Sequence, residues 1–202
     1  MKTVILIGAN GKMGQAALTG LGKHRVITAS RSGEGVDYKV DITDKNSIQE
    51  LYKKVGSFNA VVNTVGVCEY APFESMTSEQ WDTTIQSKLV GQINLVSVGL
   101  QYIEDGGSFT LISGILNMKP IPFAIADATT SGAIDTFVKC VAHELPRGIR
   151  INVVNPTVLE EAWHVYGEMM PGFQPVPSVL VGKAFERSVD GFISGEVIFV
   201  DA

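Results

Sequence analysis

Three glycines spaced three apart, Gly8, Gly11 and Gly14, follow the apolar run Thr3–Ile7 and precede a stretch of helix-forming residues. There Gly8 permits a tight turn, Gly11 lets backbone approach a pyrophosphate, and Gly14 lets the helix close onto a sheet. Asn10, Lys12 and Met13 fill the turn, and the free N–H groups opening the helix suit phosphate oxygens. The next residues able to do chemistry are Ser30, Arg31 and Ser32, after a second apolar run. A carboxylate there would hold a ribose 2′-hydroxyl. Ser30 stands in that place, and the Arg31 guanidinium beside it can pair with a 2′-phosphate. The pattern points to NADP(H), with NAD(H) less favoured.

Cys68 and Cys140 lie far apart with no Cys-x-x-Cys spacing, and are expected to be two buried, reduced thiols. His24, His143 and His164 lack ligand-like spacing, so no metal site is expected. A net charge of −5 argues against nucleic acid as a partner, which would need clustered Lys and Arg. No apolar run reaches the roughly 18 residues of a membrane helix. The start, Met1 to Gly8, reads as a strand entering a glycine turn rather than as a signal peptide. With 45% hydrophobic and 18% charged residues, the expectation is a soluble cytoplasmic protein whose residues 1–202 form one domain.

The elements that must position these groups alternate along the chain. Strands are predicted at Thr3–Ile7, Val26–Ala29, Val36–Val40, Ala60–Asn63, Ser108–Ile112, Arg150–Val154 and Val197–Val200. Helices are predicted over Gln15–Leu21, after Asp41–Asp44 (with Ile48, Leu51, Tyr52 and Val55 on one face), after Thr77, over Ala126–Leu145, and over Val179–Val189 capped by Ser178. Thr77 and Gln80 suit a capping box, with Met76 and Trp81 as its hydrophobic staple. The helix after it carries Trp81, Ile85, Leu89, Ile93, Val96 and Leu100 at helical spacing, and Lys88 interrupts that stripe. Seven strands alternating with helices imply an α/β fold, a doubly wound parallel sheet of order 3-2-1-4-5-6-7. One stretch breaks the alternation. Thr157 to Pro177 holds three prolines, two methionines and three aromatics, and reads as a short lid at the strand ends or as an ordinary covering loop.

Further motifs carry a resemblance. Asp41-Ile42 follows the third strand, Asn63-Thr-Val-Gly66 the fourth, and Ser113-Gly the fifth. Arg147-Gly-Ile-Arg-Ile-Asn-Val-Val-Asn-Pro156 ends the sixth, and Ser194-Gly-Glu-Val-Ile-Phe-Val-Asp201 the seventh. The chain resembles the short-chain dehydrogenase/reductase family over nearly its whole length. That resemblance implies a Rossmann-type fold and a cofactor site including Asp41, Ile42, Asn63, Gly66 and Pro156, with the Asp41 carboxylate reaching the adenine amino group. It also implies a catalytic serine, a helix bearing Tyr-x-x-x-Lys, and an asparagine relay on the preceding helix. Ser113 matches the serine, but Ala128 and Gly132 occupy the Tyr and Lys slots, and Lys88 of Lys88-Leu-Val-Gly91 stands where the asparagine would be. Lys88 either snorkels to solvent or fills the space left at Gly132, where a partly buried lysine with a lowered pKa could act with Ser113 as acid or anchor. His164, Tyr166 and Glu161 are weaker candidates for a proton donor.

The reading is therefore an atypical NADP(H)-binding oxidoreductase acting on a small carbonyl compound or alcohol. Its rivals are a non-catalytic dinucleotide sensor or regulator binding a small-molecule effector, and a silent subunit of a family assembly. The resemblance implies a homodimer or homotetramer through the helices before and after the fifth strand. Val90, Leu95, Val98, Ile134, Phe137 and Val138 are expected to enlarge that apolar surface.

Overall fold

In the computed structural model, which describes residues 1–201, seven parallel strands lie in the order β3-β2-β1-β4-β5-β6-β7. They are β1 Thr3–Ile7, β2 Arg25–Ser30, β3 Tyr38–Lys39, β4 Phe58–Asn63, β5 Ile103–Ile112, β6 Arg150–Pro156 and β7 Val197–Val200. The order reverses between β1 and β4, whose carboxyl ends open the crevice in which ligands bind in such sheets. The helices are α1 Lys12–Leu21, α2 Lys45–Val55, α3 Ser78–Thr84, α4 Gly91–Gly99, α5 Ile125–Val141, α6 Trp163–Tyr166 and α7 Ser178–Asp190. Both sheet faces are covered. One core cluster packs Ile5, Ile7, Tyr52, Phe58, Leu95, Phe109 and Ile134, and the other packs Val4, Leu6, Leu21, Val62, Phe185 and Ile198. Alternate residues of β1 thus face opposite layers, as the strand's period of two demands.

The helix starts follow local chemistry. The Asp44 side chain accepts from Asn46 N and caps α2, while Asp41 accepts from Thr43 N and Oγ1 instead. Thr77 and Gln80 form the reciprocal capping box that opens α3. Ser178 corrects an expectation. It is the first residue of α7 and its hydroxyl donates to Glu161 Oε1, because Pro177 takes the cap position. β5 begins five residues before its predicted start, since Ile103 pairs with Phe58 before an irregularity in register. Cys68 is half-buried and Cys140 exposed, both free, so the expectation of two buried thiols fails on α5, whose Cys140 faces away from the core.

Between α3 and α4 the chain runs through a π-helical turn, Ile85–Val90, closed by Gly91 N–H donating to Gln86 O. The wider turn rotates the helix face. Ser87 and Lys88 are turned inward, and of the residues expected to form the buried stripe Val96 is buried while Trp81, Ile85, Leu89, Ile93 and Leu100 sit half-buried. Leu95, Ile134 and Val138 are fully buried in the chain's own core, which removes them from the predicted oligomer surface and leaves Val90, Val98 and Phe137 half-buried.

α1 and α7 cross where two glycines meet. A Cβ on Gly182 would lie 2.7 Å from Ala16 O, and one on Gly20 would lie 2.6 Å from the Gly182 carbonyl carbon. Gly182→Ala is expected to cost roughly 1–3 kcal/mol through overpacking. A thermal melt should then show Tm lower by about 2–12 °C.

Candidate active site

Two hollows lie at the carboxyl ends of the strands, joined by the glycine turn. The first, of about 560 Å³, is lined by Ser30, Arg31, Asp41, Ile42, Val65 and Val67, among others. The second, of about 650 Å³, runs from Lys12 and Met13 past Ser113, Lys88 and Pro156 to the segment after β6.

The glycine turn fits a dinucleotide. Gly8 has φ +89°, and a Cβ on Gly14 would stand 2.7 Å from Ala9 Cα, so the helix start must remain bare. No side chain caps α1, which leaves its first N–H groups for an anion. Around the turn, Asn10 Nδ2 donates to Glu34 O at 2.7 Å. Ser30 Oγ accepts from Gly33 N, and Ser32 Oγ from Glu34 N. Arg31 has no ion pair or side-chain hydrogen bond among the described residues, so its guanidinium is free for a phosphate. Partial burial works against the Asp41 charge, but hydrogen bonds from Thr43 and the positive charges of Arg31 and Lys39 hold its carboxyl below the ordinary value. Ile42 packs under Gly91, whose added Cβ would meet Ile42 Cγ1 at 2.9 Å. Asn63 is fully buried and spends its amide on Val65 O (2.8 Å) and Gln92 Oε1 (2.9 Å), so it frames the cleft floor. Gln92 also bonds Lys88 O and both the N–H and the carbonyl of Ile112, joining β4, β5 and the π turn. Gly66 lets its backbone lie against the Lys88 stem.

The second hollow brings Ser113 and Lys88 together. Lys88 does not reach solvent. It is 6% exposed, and its ammonium pairs with the Asp127 carboxylate. A Cβ on Gly114 would sit 3.8 Å from Ser131 Oγ and 3.9 Å from Lys88 Nζ, which places both groups beside the residue after Ser113. Ser131 Oγ donates to Asp127 Oδ1 at 3.1 Å, and Tyr70 OH donates to Asp127 Oδ2 at 2.7 Å. Ala128 and Gly132 do not line the hollow. Ala128 packs against the small apolar cluster of Ile115, Leu116, Ala124 and Met170, and Gly132 lies over Asn117. Asp127 of α5 lines the hollow and Ser131, four residues on, bonds to it from behind; each stands one residue before a position matched by sequence.

Burial works against the Lys88 charge, yet the carboxylate of Asp127 outweighs it and holds the ammonium above the ordinary lysine value. Burial likewise opposes the Asp127 charge, but Lys88, then Tyr70 and Ser131, hold its carboxyl low. Burial and the same carboxylate push the Tyr70 hydroxyl up, and burial pushes the Cys68 thiol up to about 11. The group is a charged pair with its phenol and thiol protonated.

Tyr70 comes from the loop after β4, and sequence reasoning passed over it. Ala71 N donates to Phe123 O at 3.0 Å, and Phe123 holds φ +68°, so a strained loop before α5 tethers Tyr70 beside Asp127. The segment after β6 lies over the hollow. Leu159 bridges Val176, and Lys12 Nζ donates across the cleft to Glu161 O at 2.6 Å. Tyr166 lines the hollow, whereas His164 and Glu161 do not.

Fold and cleft define a dinucleotide-type α/β protein, and comparison with known proteins narrows the class. A family model described as enoyl-(acyl carrier protein) reductase matches residues 15–174, and the chain belongs to the short-chain dehydrogenase/reductase family. Its relatives include an uncharacterized oxidoreductase of Methylorubrum extorquens, 26% identical over 81% of this chain and 66% of that protein. Another is the 3-oxoacyl-[acyl-carrier-protein] reductase FabG of Thermotoga maritima, 28% identical over 69% of this chain and 62% of that protein. The chain thus spans about two thirds of the length of these relatives. Among solved structures, the protein lin1944 from Listeria innocua superposes with a TM-score of 0.96 at 44% identity, covering 99% of this chain and 100% of that one. A small-chain dehydrogenase in complex with NADPH shares the fold, with a TM-score of 0.86 at 23% identity over 98% and 96% of the two chains.

Proposed function

We propose that the chain is an NADP(H)-binding oxidoreductase acting on a small carbonyl compound or alcohol, with Ser113 and Lys88 in place of the family's Tyr–Lys pair. The observation that carries this reading is the convergence of Lys88 and the Ser113 hydroxyl, buried and without a hydrogen-bond partner, on one cleft at the sheet's switch point. The glycine turn would hold the pyrophosphate, the first hollow the adenosine, and Pro156 with Met13 would border the nicotinamide. A relative from Sus scrofa named carbonyl reductase [NADPH] 2 is 33% identical over 140 residues, which supports the cofactor and the carbonyl class. When bound, the nicotinamide would supply or accept a hydride. Ser113 Oγ donates a hydrogen bond to the substrate oxygen, and the Lys88 ammonium provides the proton as negative charge develops there. Asp127 keeps that ammonium charged, and the apolar walls exclude water. The chain works as one domain in the cytoplasm and self-associates through α4 and α5, as a dimer or tetramer.

The second reading, a dinucleotide-dependent sensor or silent subunit, draws support from Tyr70 and Lys88 both being committed to Asp127, which leaves the exposed Tyr166 as the uncommitted acid lining the cleft. Cofactor choice is common to both readings. NADPH should bind more tightly than NADH by about 10- to 150-fold, the worth of a charge-assisted hydrogen bond, and Arg31→Ala should erase most of that difference. Calorimetric titration with both cofactors measures it, and equal affinities in the unmutated protein would refute it.

A further inference from the structure

The two buried charges inside the second hollow, Lys88 and Asp127, are paired with each other, and this bears on what the cleft can accept. Lys88 and Asp127 have side chains 8% and 9% exposed and neutralise each other. The Asp127 carboxylate also accepts from Tyr70 and Ser131, so both its oxygens are occupied. The other cation at the cleft, Lys12, stands at the glycine-turn end and bonds Glu161 O. Two buried hydroxyls lining the hollow have no partner: Ser113 Oγ and Thr157 Oγ1, on residues 6% and 3% exposed. Tyr166 adds a phenol at the exposed side, and the rest of the wall is mostly apolar, with Leu116, Ile121, Val158, Leu159, Met169 and Met170 among its residues.

Resting on the reading of this hollow as the substrate end of the site, we infer that it selects neutral, largely apolar carbonyl compounds and rejects carboxylates, with the Tyr70–Asp127–Lys88 cluster as the charge filter. An apolar body fits the aliphatic and thioether wall. A carbonyl oxygen can accept from the unpaired hydroxyls, each of which would otherwise remain a buried polar group without a bond. A carboxylate would enter a site whose one buried cation is already neutralised, and would lose its hydration without gaining a counter-charge. An ammonium ligand meets the same difficulty at Asp127. The selectivity is therefore a property of the pair, and freeing either member should change the sign of charge the cleft accepts.

Acetophenone and phenylglyoxylate form a matched probe pair, since a carboxylate replaces the methyl group on the same aryl ketone. Calorimetric titration of the full chain, with and without NADPH, should show acetophenone binding at millimolar concentration or below and phenylglyoxylate more than about tenfold weaker. Asp127→Asn, which leaves Lys88 without its counter-charge, should reduce or invert that ratio. Lys88→Leu with Asp127→Leu removes both charges and retains an apolar core, so it should fold and still reject the carboxylate. Thermal melts establish that each variant is folded. Phenylglyoxylate binding as tightly as acetophenone in the unmutated protein would overturn the proposal. So would no acetophenone binding at millimolar concentration, an unchanged ratio in folded Asp127→Asn, or loss of discrimination in the double variant. NADPH affinity measured in the same titrations reports separately on the cofactor reading, so failure of that reading leaves the probe ratio to be judged on its own.

Discussion

Lys88→Met is expected to lower stability by about 3–5 kcal/mol, because it leaves the Asp127 charge buried without its cation. Tyr70 and Ser131 still donate to that carboxylate, but neutral donors do not replace an ammonium in an apolar cleft. Replacing both members, Lys88→Leu with Asp127→Leu, should recover most of the loss, since the desolvation cost disappears with the charges. The deficits are non-additive, and the double-mutant cycle should show a coupling of several kcal/mol. The pH dependence has a definite sign. Asp127 has a lowered pKa, so its contribution is present above the ordinary carboxylate value and is lost as pH falls through its folded value. Lys88 has a raised pKa, so its contribution is present below the ordinary lysine value and is lost as pH rises through its folded value. The pair therefore stabilises the fold throughout the neutral range. In Lys88→Met the orphaned carboxyl titrates upward, and the deficit relative to the unmutated protein should shrink as pH falls. Urea melts from acid to neutral pH measure this. A constant deficit would show that lost packing, not charge, dominates.

The second expected result concerns chemistry. Family-type acid–base help is typically worth about 10²–10⁴-fold. Installing Tyr and Lys where the cleft can use them should restore an effect of that size. The positions to change are Asp127 and Ser131, with Lys88→Asn supplying the asparagine that the family carries on the preceding helix and avoiding two adjacent cations. The triple variant Lys88→Asn, Asp127→Tyr, Ser131→Lys should reduce simple ketones with NADPH about 10²–10⁴-fold faster than the unmutated protein. Ala128→Tyr with Gly132→Lys should not, because Ala128 packs against Ile115 and Leu116 and Gly132 lies over Asn117. Steady-state rates of both variants, compared at equal folded concentration, decide between the two registers.

Much of the fold was legible because its signals are local. Thr3–Ile7 and Val197–Val200 are apolar runs bounded by turn residues, and both strands have the predicted bounds. Thr77 and Gln80 close the capping box within one helical turn. The start of β5 was hidden because Glu104-Asp-Gly-Gly reads as a turn, whereas Ile103 gains its partner Phe58 only in the assembled sheet. The glycine turn and Arg31 were legible because phosphate chemistry needs those residue types at that spacing. The charged cluster was not. Helical periodicity assumes 3.6 residues per turn, so the π turn that carries Lys88 inward leaves no mark in that count. Asp127 lies in the first turn of α5, where an acidic residue ordinarily complements the helix dipole. The available clue was the pair Asp127 and Ser131, polar side chains four apart on a helix otherwise rich in small and apolar residues. Tyr70 had no comparable signal, because its place depends on the bond from Ala71 to the Phe123 carbonyl.

Consumption of NADPH by the unmutated protein in the presence of acetophenone, under single-turnover conditions, shows whether Ser113 and Lys88 serve the reacting oxygen. Ser113→Ala and the stable pair Lys88→Leu, Asp127→Leu provide the comparisons. Slow oxidation is expected, falling further in both variants while NADPH affinity changes little, because the glycine turn and Arg31 are untouched. Rapid turnover by the unmutated protein that neither variant diminishes would contradict that role, for the reacting oxygen would then lie away from Ser113 and Lys88.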